Sequence, residues 1–218
     1  MIDRRILTGL VLLLALGLVS VPLMAPGRAA DDTRTFSESG FEKVRLEGAF
    51  TTDITAGAAH TRVEASGDSG TLDRITTKIE GDTLVIGMHS GTSFFARSPR
   101  ITIELPALYA FTNDGAGSTK IGGLRGNDVE ITNSGAGSIV AAGRAGDLRI
   151  ALNGTGKIDT TGIDAHDVTV DNNGVGSIDV RASGKLTASV NGVGSIRYTG
   201  NPSNVQSQVN GIGHIGRL

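Results

Sequence analysis

Between residues 112 and 218 apolar and polar positions alternate in short bursts that return at a nearly constant interval. Val129, Glu130 and Ile131 form one burst, Leu148, Arg149 and Ile150 the next, and Val168, Thr169 and Val170 a third. Leu186, Thr187 and Ala188 follow at the same phase, then Val205, Gln206 and Ser207. A period of two predicts strands with one buried and one exposed face. No long stretch after the N-terminal leader shows helical periodicity.

Each burst leads into a G-x-G pair. The pairs stand at Gly115/Gly117, Gly135/Gly137, Gly154/Gly156, Gly174/Gly176, Gly192/Gly194 and Gly211/Gly213, separated by 20, 19, 20, 18 and 19 residues. Asp114, Ser134, Asn153, Asn173, Asn191 and Asn210 precede them. Two residues after each pair come Thr119, Ile139, Ile158, Ile178, Ile196 and Ile215. A repeat of this length signals a solenoid, in which each unit buries its apolar face on its neighbours. Each unit reads as strand, glycine turn, strand and loop. Two arrangements fit: a β-helix with one unit per rung, or a meander of hairpins. The rung is favoured, because the same side chain recurs at the same phase. Five intervals of about 4.8 Å predict a stack of roughly 24 Å.

Residues 36–111 are strand-like but irregular. Strands are expected at Phe41–Leu46, Phe50–Thr55, Ile75–Ile79, Thr83–Met88 and Ile101–Leu105, with a hairpin turn at Gly81-Asp82. This part holds seven of the eight aromatic residues and is expected to cap or broaden the solenoid. A Ser/Gly-rich loop from His89 to Arg100 interrupts it, carrying Phe94, Phe95 and Arg97.

The first thirty residues read as an address. Asp3, Arg4 and Arg5 precede an apolar run from Ile6 to Val21, and small residues follow at Gly27, Ala29 and Ala30. That is the order of a secretory signal peptide, with cleavage expected after Ala29. The alternative is an uncleaved anchor, but the run is shorter than the roughly 20 residues a span needs. Residues 1–29 are therefore assigned to the leader and 36–218 to one all-β, solenoid-like domain of ~19-residue glycine-rich repeats, with 36–111 irregular and 112–218 regular. The periplasm or the cell surface is the expected location.

Composition narrows the function. The 218 residues include 32 Gly and no Cys, which excludes disulfide scaffolds, thiol enzymes and lipid attachment at a lipobox cysteine. Net charge is −2, and loss of the leader takes it to −4, so a nucleic-acid partner is not expected.

A family resemblance follows from the order Phe41-x-x-Val44, Glu47-Gly48-Ala49-Phe50, Gly81-Asp82-x-Leu84-x-Ile86 and Ile101-x-Ile103-x-Leu105-Pro106-x-Leu108. These lead into Gly115-Ala116-Gly117, Gly135-Ala136-Gly137 and Asn210-Gly211-Ile212-Gly213. The combination resembles the putative auto-transporter adhesin head GIN domain family, a bacterial domain of unknown function. The resemblance spans about Phe36 to Leu218 and implies an exported, β-helix-like envelope protein. It brings no catalytic residues. The sequence ends straight after the last rung without a barrel translocator, so it is not expected to export itself.

Five features could carry chemistry. Asp159 and Asp179 share a phase, so on adjacent rungs they would lie about 5 Å apart, the spacing of a retaining glycosidase pair. The alternative is two solvated carboxylates. Asp128, Asp147 and Asp167 form a second column that could offer oxygens to calcium, or serve only as turn residues. Asn153, Asn173, Asn191 and Asn210 would stabilise the stack by amide hydrogen bonds or tolerate left-handed φ. His60, His89, His166 and His214 show no metal-binding or triad spacing. No metal or cofactor is expected. Phe94, Phe95 and Arg97 are the candidate contact residues for a glycan or an envelope protein.

The expected function is therefore a non-catalytic structural, adhesive or ligand-binding module of the envelope. The alternative is a polysaccharide hydrolase or lyase using the stacked aspartates. The last rung shows no polar cap, so self-association there is also expected.

Overall fold

The computed structural model describes residues 32–89 and 98–218. The expected leader, and Phe94, Phe95 and Arg97, lie outside the described residues. The N-terminal elements are β1 (Asp32–Phe36), β2 (Lys43–Leu46), β3 (Ala49–Ala56), β4 (Arg62–Gly67), a short helix α1 (Ser69–Leu72), β5 (Ile75–Glu80), β6 (Thr83–Met88) and β7 (Arg100–Leu105). The repeats supply β8 (Ala110–Asn113), β9 (Ala116–Asn133), β10 (Ala136–Leu152), β11 (Thr155–Asn172), β12 (Val175–Ala182), β13 (Lys185–Val190), β14 (Val193–Gly200), β15 (Asn204–Val209) and β16 (Ile212–Arg217).

The repeats stack as rungs. β9, β10 and β11 pair in parallel with like residues aligned: Gly117 with Gly137, Gly137 with Gly156, Ile139 with Ile158, Leu148 with Val168. The pattern continues through β12, β14 and β16 on one face and β13 and β15 on the other. Each rung thus runs along one sheet, turns, and returns along a second. The expected loop in mid-repeat is absent in β9 to β11, because the strand continues around that corner. Register shifts between Val140 and Ala142 and between Ala141 and Gly143 absorb the difference between 19- and 20-residue units there.

The core lies between the two sheets. Ile139, Ile158, Ile178 and Ile196 form a buried column on one, facing Leu148, Val168 and Leu186 from the other. The column begins with Thr52 and Thr119, which are also buried. At the opposite corner the chain passes so close to the rung before it that side chains do not fit. A Cβ at Gly154 would run into the carbonyl oxygen of Gly135. Gly117, at φ +117°, combines the same crowding with a backbone conformation that disfavours other residues.

The N-terminal part caps the stack. Glu47-Gly48-Ala49-Phe50 is a degenerate rung: Ala49 pairs with Ala116 and Phe50 with Gly117. β7 is parallel to β3, and beyond β7 the parallel order ends, with β4 and β1 antiparallel. On the second sheet β6 lies beside β2, and β5 folds back on β6 about Gly81, at φ +64°. The sequence shows no long helical stretch, and the helix here spans only four residues. α1 forms because Asp68 caps it, its carboxylate accepting from the Thr71 N–H at 3.0 Å. The hydrogen bonds from Thr71 hold the Asp68 carboxyl below its usual pKa.

Candidate functional site

Asp159 and Asp179 are direct neighbours on β11 and β12. They are not two solvated carboxylates. Asp159 accepts from the backbone N–H and hydroxyl of Thr161, at 3.1 and 2.7 Å. Asp179 is 3% exposed and lies between two cations. Arg197 reaches it through Nε and a terminal nitrogen, both at 2.8 Å, and Lys157 Nζ at 3.0 Å. Burial opposes its charge, but the hydrogen bonds and attraction of Arg197 and Lys157 prevail and hold its pKa below the usual value. Asp179 in turn raises the pKa of Arg197. A general acid needs a raised pKa, and Asp179 has the opposite.

The second aspartate column is aligned as expected, Asp128 beside Asp147 and Asp147 beside Asp167. Its oxygens are partly committed. Asp128 accepts from Arg149 at 3.1 Å, and Asp167 from the Lys185 backbone N–H at 2.7 Å. No group of three or more His, Asp or Glu side chains among the described residues could hold a metal ion.

The asparagines form a surface amide ladder. Asn173 donates to Asn153 at 3.0 Å, Asn191 to Asn173 at 2.8 Å and Asn210 to Asn191 at 2.8 Å. Every described residue with positive φ is a glycine, so left-handed tolerance is not their role. A second, internal set was missed from the sequence. Asn113, Asn133 and Asn172 are buried at the ends of β8, β9 and β11. Asn113 donates to Asn133 at 2.7 Å. The aligned positions around Asn172 are Leu152 and Val190, and its Oδ1 is buried with no hydrogen-bond partner.

The sequence reading also overlooked an open groove of about 780 Å³ at the mid-repeat corner. Tyr109, Arg125, Gly126, Asp128, Arg144 and Asp164 line it. Arg125 and Arg144 are register partners on β9 and β10, and Asp164 on β11 follows Arg144. The signal was present in the sequence: Arg125, Arg144 and Asp164 each stand three residues before the aspartate column. At the far end, one edge of the last rung has no strand partner among the described residues, and Val205, Val209 and Ile212 are exposed.

Parallel rungs, aligned glycine corners and a continuous aliphatic column define a parallel β-solenoid. The chain belongs to the family described as "Putative auto-transporter adhesin, head GIN domain", whose model matches residues 40–202. Solved structures share the fold. A putative adhesin from Bacteroides fragilis is 21% identical, covers 87% of this chain and 98% of its own, and has a TM-score of 0.73. A putative adhesin from Parabacteroides merdae is 16% identical over 88% of this chain and 98% of its own, with a TM-score of 0.55. A putative lipid binding protein from Parabacteroides distasonis is 19% identical over the same shares, with a TM-score of 0.53. No curated protein sequence matches the chain. No helix among the described residues is long and apolar enough to cross a membrane.

Proposed function

We propose that this chain is an exported, non-catalytic module of the cell envelope that adheres to a glycan or envelope protein. The observation that carries this reading is membership of the adhesin-head family over the rung stack, residues 40–202. The apolar leader from Ile6 to Val21 supports export. Against the hydrolase reading stands Asp179, whose charge is already matched by Arg197 and Lys157. Phe94, Phe95 and Arg97 remain the proposed contact loop, and the edge of the last rung the proposed surface for a second copy.

The test is incubation of the purified chain with a panel of acidic and neutral polysaccharides, scoring retention and new reducing ends together. Retention without chain shortening, weakened in a Phe94→Ala, Phe95→Ala variant, is the expected result. New reducing ends that vanish in Asp159→Asn would replace this reading with an enzyme.

A further inference from the structure

Most arginines among the described residues are engaged. Arg45, Arg62, Arg100, Arg149, Arg181 and Arg197 each meet a carboxylate. Arg34 and Arg74 donate to backbone carbonyls, and Arg217 to the Asn201 side chain. Among the described residues only Arg125 and Arg144 have no such partner. These two are neighbours in register, on strands about 4.8 Å apart. Their side chains therefore leave the stack from adjacent rungs, and both are exposed.

Two carboxylates of the groove pair with other arginines. Asp128 is paired with Arg149 and Asp164 with Arg181, both at 3.1 Å. A chain of net negative charge therefore presents an open groove with two uncommitted guanidinium groups. Guanidinium forks match planar carboxylates with two parallel hydrogen bonds. Tyr109, 38% exposed, lies against Gly126, where a Cβ would come within 3.2 Å of its ring. Tyrosine offers a broad apolar face with a polar tip, suited to the C–H face of a sugar ring. Apart from Tyr109 and Ala145 the lining residues are Arg, Asn, Asp and Gly, with no larger aliphatic side chain to hold an acyl chain.

We infer that this groove binds a carboxylated polysaccharide, with Arg125 and Arg144 taking the carboxylates of the sugar chain and Tyr109 packing on a ring. The inference rests on the proposed binding function and names its ligand class. The two arginines rise from adjacent rungs, about 4.8 Å apart at the backbone, so an extended acidic polymer can engage both together.

The test is binding of the purified chain to polygalacturonate and alginate, to methyl-esterified polygalacturonate, to dextran, and to phosphatidylglycerol vesicles. The expected result is retention by the two acidic polymers, weaker at high salt and at least tenfold weaker in an Arg125→Ala, Arg144→Ala variant. A charge-matched Arg45→Ala, Arg62→Ala variant should bind as the parent does. All these side chains are exposed, and circular dichroism checks that each variant is folded. Equal loss in the charge-matched variant, equal binding of the esterified polymer, or retention by vesicles alone would overturn the inference. Retention by dextran that ignores the Arg125 and Arg144 substitutions would overturn it while leaving the binding function standing. Retention by no polysaccharide would overturn it and leave the proposed function with an envelope protein alone as partner.

Discussion

Asp159 and Asp179 face each other across adjacent parallel strands, yet only Asp179 is sealed from solvent and held by two cations. The pair that suggested a catalytic site is the centre of an ion network joining three rungs, from Lys157 through Asp179 to Arg197.

This network predicts an acid-labile contribution to stability. Arg197 and Lys157 hold the folded-state pKa of Asp179 below the ordinary carboxylate value. Its stabilisation is thus fully present above the unfolded carboxylate range and is lost as pH falls through the folded value. Asp179→Asn should cost about 1–3 kcal/mol at neutral pH. It should also flatten the acid limb of a plot of denaturant midpoint against pH. A variant with the parent's midpoint at every pH would show that the network contributes nothing.

The glycine corner predicts a sharp contrast between two alanine substitutions. Gly154→Ala drives a methyl group into the Gly135 carbonyl and should destabilise by about 1–3 kcal/mol or more. Gly122, which has open space around its Cβ position and no positive φ, should accept alanine with a gain of up to about 1 kcal/mol. Thermal melting of the two variants checks the difference.

The internal asparagines predict different costs for one substitution. Asn172→Leu removes a buried oxygen without a partner and matches Leu152 and Val190, which offsets loss of the 3.1 Å bond its Nδ2 donates to the Gly176 carbonyl, so it should be close to neutral. Asn133→Leu strips Asn113 of its 2.7 Å bond and should cost about 1–3 kcal/mol. Urea unfolding of both variants would reveal equal losses if side-chain volume, rather than hydrogen bonding, governs this column.

The last rung predicts concentration-dependent self-association. Val209→Lys with Ile212→Lys places charge on its exposed edge, the usual protection of an unpaired strand. Sedimentation should show the parent associating and the variant monomeric across the same range. A parent that stays monomeric would remove this contact from the proposal.

Much of this architecture is written in the sequence. A side-chain period of two and a repeat of about 19 residues jointly require stacked strands. The glycine pairs mark where successive rungs touch. The Asp128, Asp147 and Asp167 column and the Asp159/Asp179 alignment were readable by counting from those glycines. Such phase arithmetic works because in-register parallel pairing sets equivalent residues one above another.

Counting could not decide how the columns are partnered. Asp159 and Asp179 look alike along the chain, and only the fold seals one of them between Arg197 and Lys157. Asn133 and Asn172 likewise share a phase, but the amide oxygen of one accepts from Asn113 and that of the other, set between Leu152 and Val190, has no partner. Arg125 and Arg144 stand in plain view, yet their lack of ion-pair partners depends on which way Arg149 and Arg181 reach. Local pattern determines which strands form and which faces they bury, because that is a property of neighbouring residues. Charge pairing and hydrogen bonding are decided between rungs some twenty residues apart, where side-chain direction and burial exist only once the stack has closed.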